Sequence, residues 1–322
     1  MSHTPIPLLH IADLSLHFRT RSGTVQALEN VGLDIHKGEI VGLVGESGSG
    51  KSVLSYALLG ISDAAAQVTA GQAIFGGLDL LRAREAELEE VRGREVSMIF
   101  QNPRAALNPI RKVGMQIEDV LARHAAVLRD DLQARAIAAL AQVRIPDPAR
   151  RYHSYPFELS GGLCQRIMIA MALACSPALL IADEPTTGLD VTTQASIMDL
   201  IKEQAASRHM ATLLITHDLG LAAEYCDRIV VMHAGQVVEQ ATVRELFNHP
   251  RHPYTAQLVK STPHGCTDLN DLGAIPGSLP DLRRRDLPAC RFSERCTRVQ
   301  PACSAPLPRT PSDHFIACWN PL

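Results

Sequence analysis

Short apolar runs broken by glycine, proline and acidic turns set the rhythm of the chain. Residues 8–44 read as strands joined by turns, one of them "TRSGT". "EIVGLVG", Glu39–Gly45, is an apolar strand running into a glycine loop. After Lys51, "SVLSYALLG" takes helical spacing and stops at Gly60. "REAELEEVRG" is a charged amphipathic helix and "EVSMIF" another strand. From Asn102 to about Ser176 the pattern is mostly helical and alanine-rich, which predicts a helical subdomain. "ALLIADEP" and "ATLLITHD" are short apolar runs ending in acidic or histidine-bearing turns, as buried parallel strands do. "CDRIVVMHAGQVVEQ" predicts a hairpin turning near Ala234–Gly235.

After Asn248 the character changes. Eleven of the twenty prolines lie from Pro250 onward, and four cysteines cluster near the end. This predicts a separate, loop-rich extension over 249–322 behind a domain over 1–248. The apolar stretch Ile167–Ala182 is interrupted by Ser176 and Pro177, so it reads as helix, turn and strand rather than a membrane span. The N-terminal "MSHTPIPLLHIADLSLHF" lacks the basic start and apolar core of a secretion signal. A net charge of −3 and 4% aromatic content give no basic footprint or stacking platform, so no nucleic-acid partner is expected. The expected setting is the cytosol, where the eight cysteines would not be structural disulfides.

The chemistry starts at "GESGSGKS", Gly45–Ser52, which follows a predicted strand and opens a predicted helix. That context defines a phosphate loop. Gly45, Ser47, Gly48, Ser49 and Gly50 curl backbone N–H groups around phosphates, Lys51 neutralises the outer charges, and Ser52 offers a hydroxyl to Mg²⁺. Val53 belongs to the same helix start. Asp183 and Glu184 end the strand "LLIAD", the edge where ligands of α/β sheets bind. Asp183 is expected to hold Mg²⁺ and Glu184 to polarise an attacking water. Gln101 ends another strand and is a candidate contact to Mg²⁺ and the water, and His217 follows a third, within expected reach of the γ-phosphate. "ELSGGLCQR" adds a second anion-binding helix end, with Ser160 as cap ahead of Gly161 and Gly162.

These motifs, in the order phosphate loop, Gln101, "LSGG", Asp183–Glu184, "TTGLD" and His217, resemble the ATP-binding cassette ATPases over nearly the whole chain. The resemblance implies an α/β fold: a phosphate-loop core, an antiparallel β subdomain and a helical subdomain. It also implies that two cassettes pack head to tail around ATP and Mg²⁺, with Ser160–Gly162 of one covering the nucleotide of the other and Asp190 at the same interface. Phe18, upstream of the loop, is either the adenine-stacking aromatic of that family or a core aromatic. "NHPRHPYTAQLVKSTP", "IPGSLPDL" and "CRFSERC" resemble the C-terminal extension of ATPases from bacterial dipeptide/oligopeptide importers. Such a subunit lies at the cytoplasmic face of the inner membrane with two transmembrane permease subunits and a second ATPase subunit, and is served by an external substrate-binding protein. The alternative is a soluble cassette ATPase acting on nucleic acid or ribosomes. Departures from the family pattern are Leu163 and Cys164 after "LSGG", Asn102 for an aspartate and Gly188 for an alanine; none removes a catalytic group.

Cys290, Cys296, Cys303 and Cys318 are separated by five, six and fourteen residues. Four thiolates could organise this proline-rich segment around a metal. The resemblance suggests a 4Fe–4S cluster; zinc and plain reduced thiols are the chemical rivals, and His314 is a candidate substitute ligand.

Overall fold

The computed structural model of the chain describes residues 6–125, 128–262, 273–309 and 314–322. In chain order the strands and helices begin with β1 (Leu9–Thr20), β2 (Gly23–Ile35), β3 (Ile40–Val44), α1 (Lys51–Leu58), β4 (Ala66–Phe75) and β5 (Leu78–Asp79). There follow α2 (Glu85–Val91), β6 (Val96–Ile99), α3 (Pro103–Ala106), α4 (Val113–His124), α5 (Leu132–Gln142), α6 (Pro148–Arg151), α7 (Gly161–Leu173), β7 (Leu179–Asp183) and α8 (Val191–Arg208). The chain closes with β8 (Ala211–Thr216), α9 (Leu219–Tyr225), β9 (Arg228–His233), β10 (Gln236–Thr242), α10 (Val243–Asn248), α11 (Pro253–Lys260) and β11 (Phe315–Ile316). Two compact units result. One comprises the chain up to Ala83 and from Leu214 onward, the other Arg84–Leu213.

The first unit carries an antiparallel sheet in the order β2-β1-β4-β5. The β1–β2 hairpin turns between Thr20 and Gly23, as "TRSGT" predicts. The same unit pairs β9 antiparallel with β10 and parallel with β3, with β11 on the far side of β10. The β9–β10 hairpin turns through Ala234 (φ 47) and Gly235 (φ 84). Positive φ at both turn residues matches the right-handed twist of the strands, which explains why so tight a turn closes there. All five residues of β3 are buried, so its polypeptide is apolar throughout rather than alternating.

The 249–322 extension is not set apart from this unit. Tyr254, Leu258, Cys290 and Phe292 share one buried cluster with Val44 of β3, Ile229 and Val231 of β9 and Val238 of β10. A segment poor in regular structure gains its order here by inserting aromatic side chains into an existing core, which buries large apolar area for little added length. Two buried arginines tie it down further. Arg291 donates to the carbonyls of Ala234 (2.6 Å) and Gln26 (2.9 Å), and Arg295 to the Glu46 carboxylate (2.7 and 3.0 Å).

In the second unit β6 and β7 pair in parallel, and α4, α5 and α7 pack together through residues such as Ile117, Leu140 and Ile167. Among the described residues, the helical subdomain expected over 102–176 comprises five α-helices, α3 to α7, separated by loops. Asn102 caps α3, accepting from the N–H groups of Arg104 (3.1 Å) and Ala105 (3.2 Å); asparagine does this as well as the aspartate it replaces. Among the described residues no helix is long and apolar enough to cross a membrane.

Candidate functional site

In the first unit, β3 delivers the chain into the loop Gly45–Ser52 at the start of α1. The loop requires glycine where the backbone crowds. At Gly45, φ is +154° and a Cβ would lie 2.1 Å from the Met232 carbonyl oxygen; at Gly50, φ is +101° and a Cβ would lie 3.0 Å from that of Ala27. Lys51 is buried and reaches back into the loop, its Nζ donating to the carbonyls of Gly45 (2.8 Å) and Glu46 (3.0 Å) and to Ser49 Oγ (3.4 Å). The ammonium is thus pinned at the mouth of a curled backbone, next to N–H groups at a helix start. This is the arrangement that takes a polyphosphate. Ser52 and Val53, the next two residues of α1, are half-buried. Phe18 is half-buried in β1, opposite Val25 of β2 and Ala66 of β4. His217 is exposed between β8 and α9, and the neighbouring Asp218 caps α9 by accepting from Leu221 N–H at 3.0 Å.

The loop has a partner that its own motif does not announce. The Glu46 carboxylate receives both ends of the Arg295 guanidinium, at 2.7 and 3.0 Å, and its N–H donates to the Tyr254 hydroxyl at 3.1 Å. The imidazole of buried His233, its Nδ1 3.6 Å away, and then Arg295 hold the Glu46 carboxyl down at about 2; the Arg295 contacts are the shorter. No signal in the sequence links Glu46 to a residue 249 positions later.

In the second unit, β7 ends at buried Asp183, and Glu184 follows at φ +46°. A glutamate held in the left-handed region is strained, and such strain persists only where surrounding contacts enforce it. Here Glu184 Oε2 accepts from Gln101 Nε2 at 2.8 Å and from Thr187 Oγ1 at 2.9 Å. Gln101 and Glu184 are therefore brought together. Ser160 caps α7, accepting from Leu163 N–H at 3.4 Å, and the position above Gly161 is open. Behind Gly162, a Cβ would stand 3.2 Å from Thr193 of α8, so the "LSGG" turn sits against that helix. Asp190 caps α8 through Thr193 N–H (3.0 Å) and Oγ1 (2.7 Å). The Thr193 side-chain hydrogen bond, followed by that of its backbone, holds Asp190 below the usual carboxylate range. Cys164 is fully buried, its thiol pushed up by burial and directed to the Pro156 carbonyl at 3.4 Å, as expected of an inert core cysteine.

Cys290, Cys296, Cys303 and Cys318 are free and line one narrow cavity together with Phe292, Leu307 and Trp319. Burial pushes the Cys290 thiol up to about 11. Yet among the described residues no group of three or more His, Cys, Asp or Glu side chains is arranged to hold a metal ion. The expected metal in the tail, iron–sulfur or zinc, therefore has no preformed single-ion site behind it. His314 is not a spare ligand, because its Nε2 lies 2.6 Å from Glu239 Oε1. Cys266 lies outside the described residues.

The strand–loop–helix around Lys51 and the strand end bearing Asp183 and Glu184 define a phosphate-loop ATPase. Residues 28–187 match the ABC transporter family and residues 238–303 the oligopeptide/dipeptide transporter C-terminal region. The dipeptide transport ATP-binding protein DppD of Escherichia coli is 46% identical over 302 residues, covering 94% of this chain and 92% of that protein. The probable D,D-dipeptide transport ATP-binding protein DdpD of the same organism is 44% identical over 320 residues, covering 98% and 97%. Among solved structures, the ATP-binding cassette MJ0796, as a post-hydrolysis dimer bound to ADP and Pi, superposes with a TM-score of 0.66 at 27% identity, covering 73% of this chain and 99% of that one. The chain belongs to the ABC transporter family, among the ATP-binding subunits of its peptide importers, and folds as that family's ATPase cassette.

Proposed function

We propose that this chain hydrolyses ATP to drive two transmembrane permease subunits that import di- or oligopeptides at the cytoplasmic face of a bacterial inner membrane. It pairs in that assembly with a second cassette, and an external binding protein delivers the peptide. The observation that carries the ATPase reading is the strained Glu184 carboxylate, fixed by Gln101 and Thr187 at the end of a buried strand. A carboxylate so held is aimed rather than mobile, as a base that orients water must be.

In this reading the curled loop and Lys51 bind the β- and γ-phosphates. Ser52, Asp183 and Gln101 are the groups that would hold Mg²⁺, which supplies neutralisation of phosphate charge when bound. His217 meets the γ-phosphate from beyond β8, and Phe18 stacks on adenine. Ser160–Gly162 and Asp190 face the partner cassette's nucleotide, so that ATP joins the two cassettes and hydrolysis parts them. Residues 1–248 supply this chemistry and 249–322 the importer-specific extension. The test is affinity isolation of the tagged chain from mild-detergent extracts of its native cells, with mass spectrometry of what accompanies it. Two multi-spanning membrane proteins and a second cassette are expected. Ribosomal partners without membrane proteins would replace this reading with that of a soluble cassette ATPase.

The four tail thiols are further proposed as ligands of an iron–sulfur cluster rather than of a single ion. Their chemistry supports this: all four thiols line one shared cavity, and none of them is consumed in a disulfide. Anaerobically purified chain is expected to carry about four iron and four acid-labile sulfide, falling sharply in the Cys290→Ser variant. Metal-free protein from the same preparation would refute the assignment.

A further inference from the structure

The phosphate loop has to receive a polyanion, yet it carries a carboxylate of its own. Left uncompensated, Glu46 would repel the triphosphate through a few ångströms of partly excluded solvent. Besides His233, whose Nδ1 lies 3.6 Å away, its compensation comes from the far end of the chain, at shorter range. The Arg295 side chain, 4% exposed, grips Glu46 at both oxygens and is itself fixed by the Pro276 carbonyl and by packing over the Phe292 ring at 5.8 Å. The same segment touches the loop elsewhere. Leu279 Cδ1 lies 3.3 Å from where a Gly48 Cβ would be. Arg291 holds the Ala234 carbonyl, and the next residue, Gly235, donates to Ser49 O at 2.8 Å.

We propose that Arg295 is a positioning residue of the nucleotide site: it neutralises Glu46 and fixes the loop's first turn, so that the docked C-terminal extension is a working part of ATP binding. This rests on the reading of the Gly45–Ser52 loop as the ATP site. Losing Arg295 removes the closest partner of a partly buried carboxylate beside the phosphates, and the repulsion between that carboxylate and the bound anion adds to whatever the fold loses. The effect therefore depends on Glu46 carrying its charge. A role confined to holding the fold would not depend on it in this way.

The test is a double-mutant cycle on the full chain, read as MgATP affinity by titration and as KM against kcat for hydrolysis. Arg295→Met is expected to weaken MgATP binding about tenfold, about 1.4 kcal/mol, mainly in KM. In the Glu46→Gln background the same substitution is expected to change affinity less than about threefold. Should Arg295→Met alone fail to fold, Arg295→Lys serves in its place, since it keeps the charge but loses the fork and is expected to fall between the two. Equal losses in both backgrounds, or undiminished affinity of Arg295→Met, would overturn the inference while leaving the ATP site intact. Failure of the unmodified chain to bind MgATP at all would instead overturn the reading on which the inference stands.

Discussion

Replacing Glu184 by glutamine is expected to lower ATP turnover by about 10²–10⁴-fold while leaving nucleotide binding and ATP-driven pairing of cassettes in place. The substitution keeps the side chain's length and its ability to accept from Gln101 and Thr187, whose bonds to Oε2 measure 2.8 and 2.9 Å. What it removes is the negative charge that polarises water. Because chemistry and not binding is lost, the variant is expected to accumulate as a paired, ATP-loaded state on size exclusion in MgATP, where the unmodified protein separates after turnover. Hydrolysis at the unmodified rate would remove Glu184 from its assigned role.

Lys51→Met is the second large effect, and it falls on binding. The Lys51 ammonium sits in a loop whose carbonyl oxygens, those of Gly45 and Glu46, lie at 2.8 and 3.0 Å. Methionine fills the same volume without the charge. MgATP affinity is expected to drop about a hundredfold, about 2.7 kcal/mol, the scale of removing one partner from a desolvated charge contact. Equilibrium titration with a fluorescent ATP analogue checks this. An affinity within about twofold of the unmodified chain would deny Lys51 its place at the phosphates. The two variants separate cleanly: Lys51→Met loses pairing because it cannot load ATP, whereas Glu184→Gln stays paired because it cannot release the nucleotide's γ-phosphate.

The parts of this site that a reader of the sequence can find are those encoded locally. A buried apolar strand, a glycine loop and a helix beginning at Lys51 occupy one contiguous stretch, so spacing alone reveals them. The same holds for the Ala234–Gly235 turn and for the cap supplied by Ser160. What stays hidden is set by tertiary contact. Glu46 reads as one variable position of a loop, and Arg295 as one basic residue beside a cysteine; only folding joins them across 249 positions. The left-handed conformation of Glu184 is equally silent, because glutamate carries no sign of it as glycine would. The extension reads as a separate appendage because prolines and turns dominate it, yet Phe292 and Tyr254 make it part of the core around β3. His314 shows the opposite error: a histidine among cysteines suggests a ligand, and burial beside Glu239 gives it other work.

This chain is the energy-coupling subunit that converts ATP hydrolysis into peptide import. The most direct test reconstitutes the detergent-isolated complex into vesicles with its external binding protein, and follows a labelled dipeptide mixture as MgATP is supplied on the cassette side. Uptake that requires MgATP and disappears when this subunit carries Glu184→Gln is the predicted result. Peptide uptake that proceeds unchanged without ATP, or with Glu184→Gln in place, would contradict it.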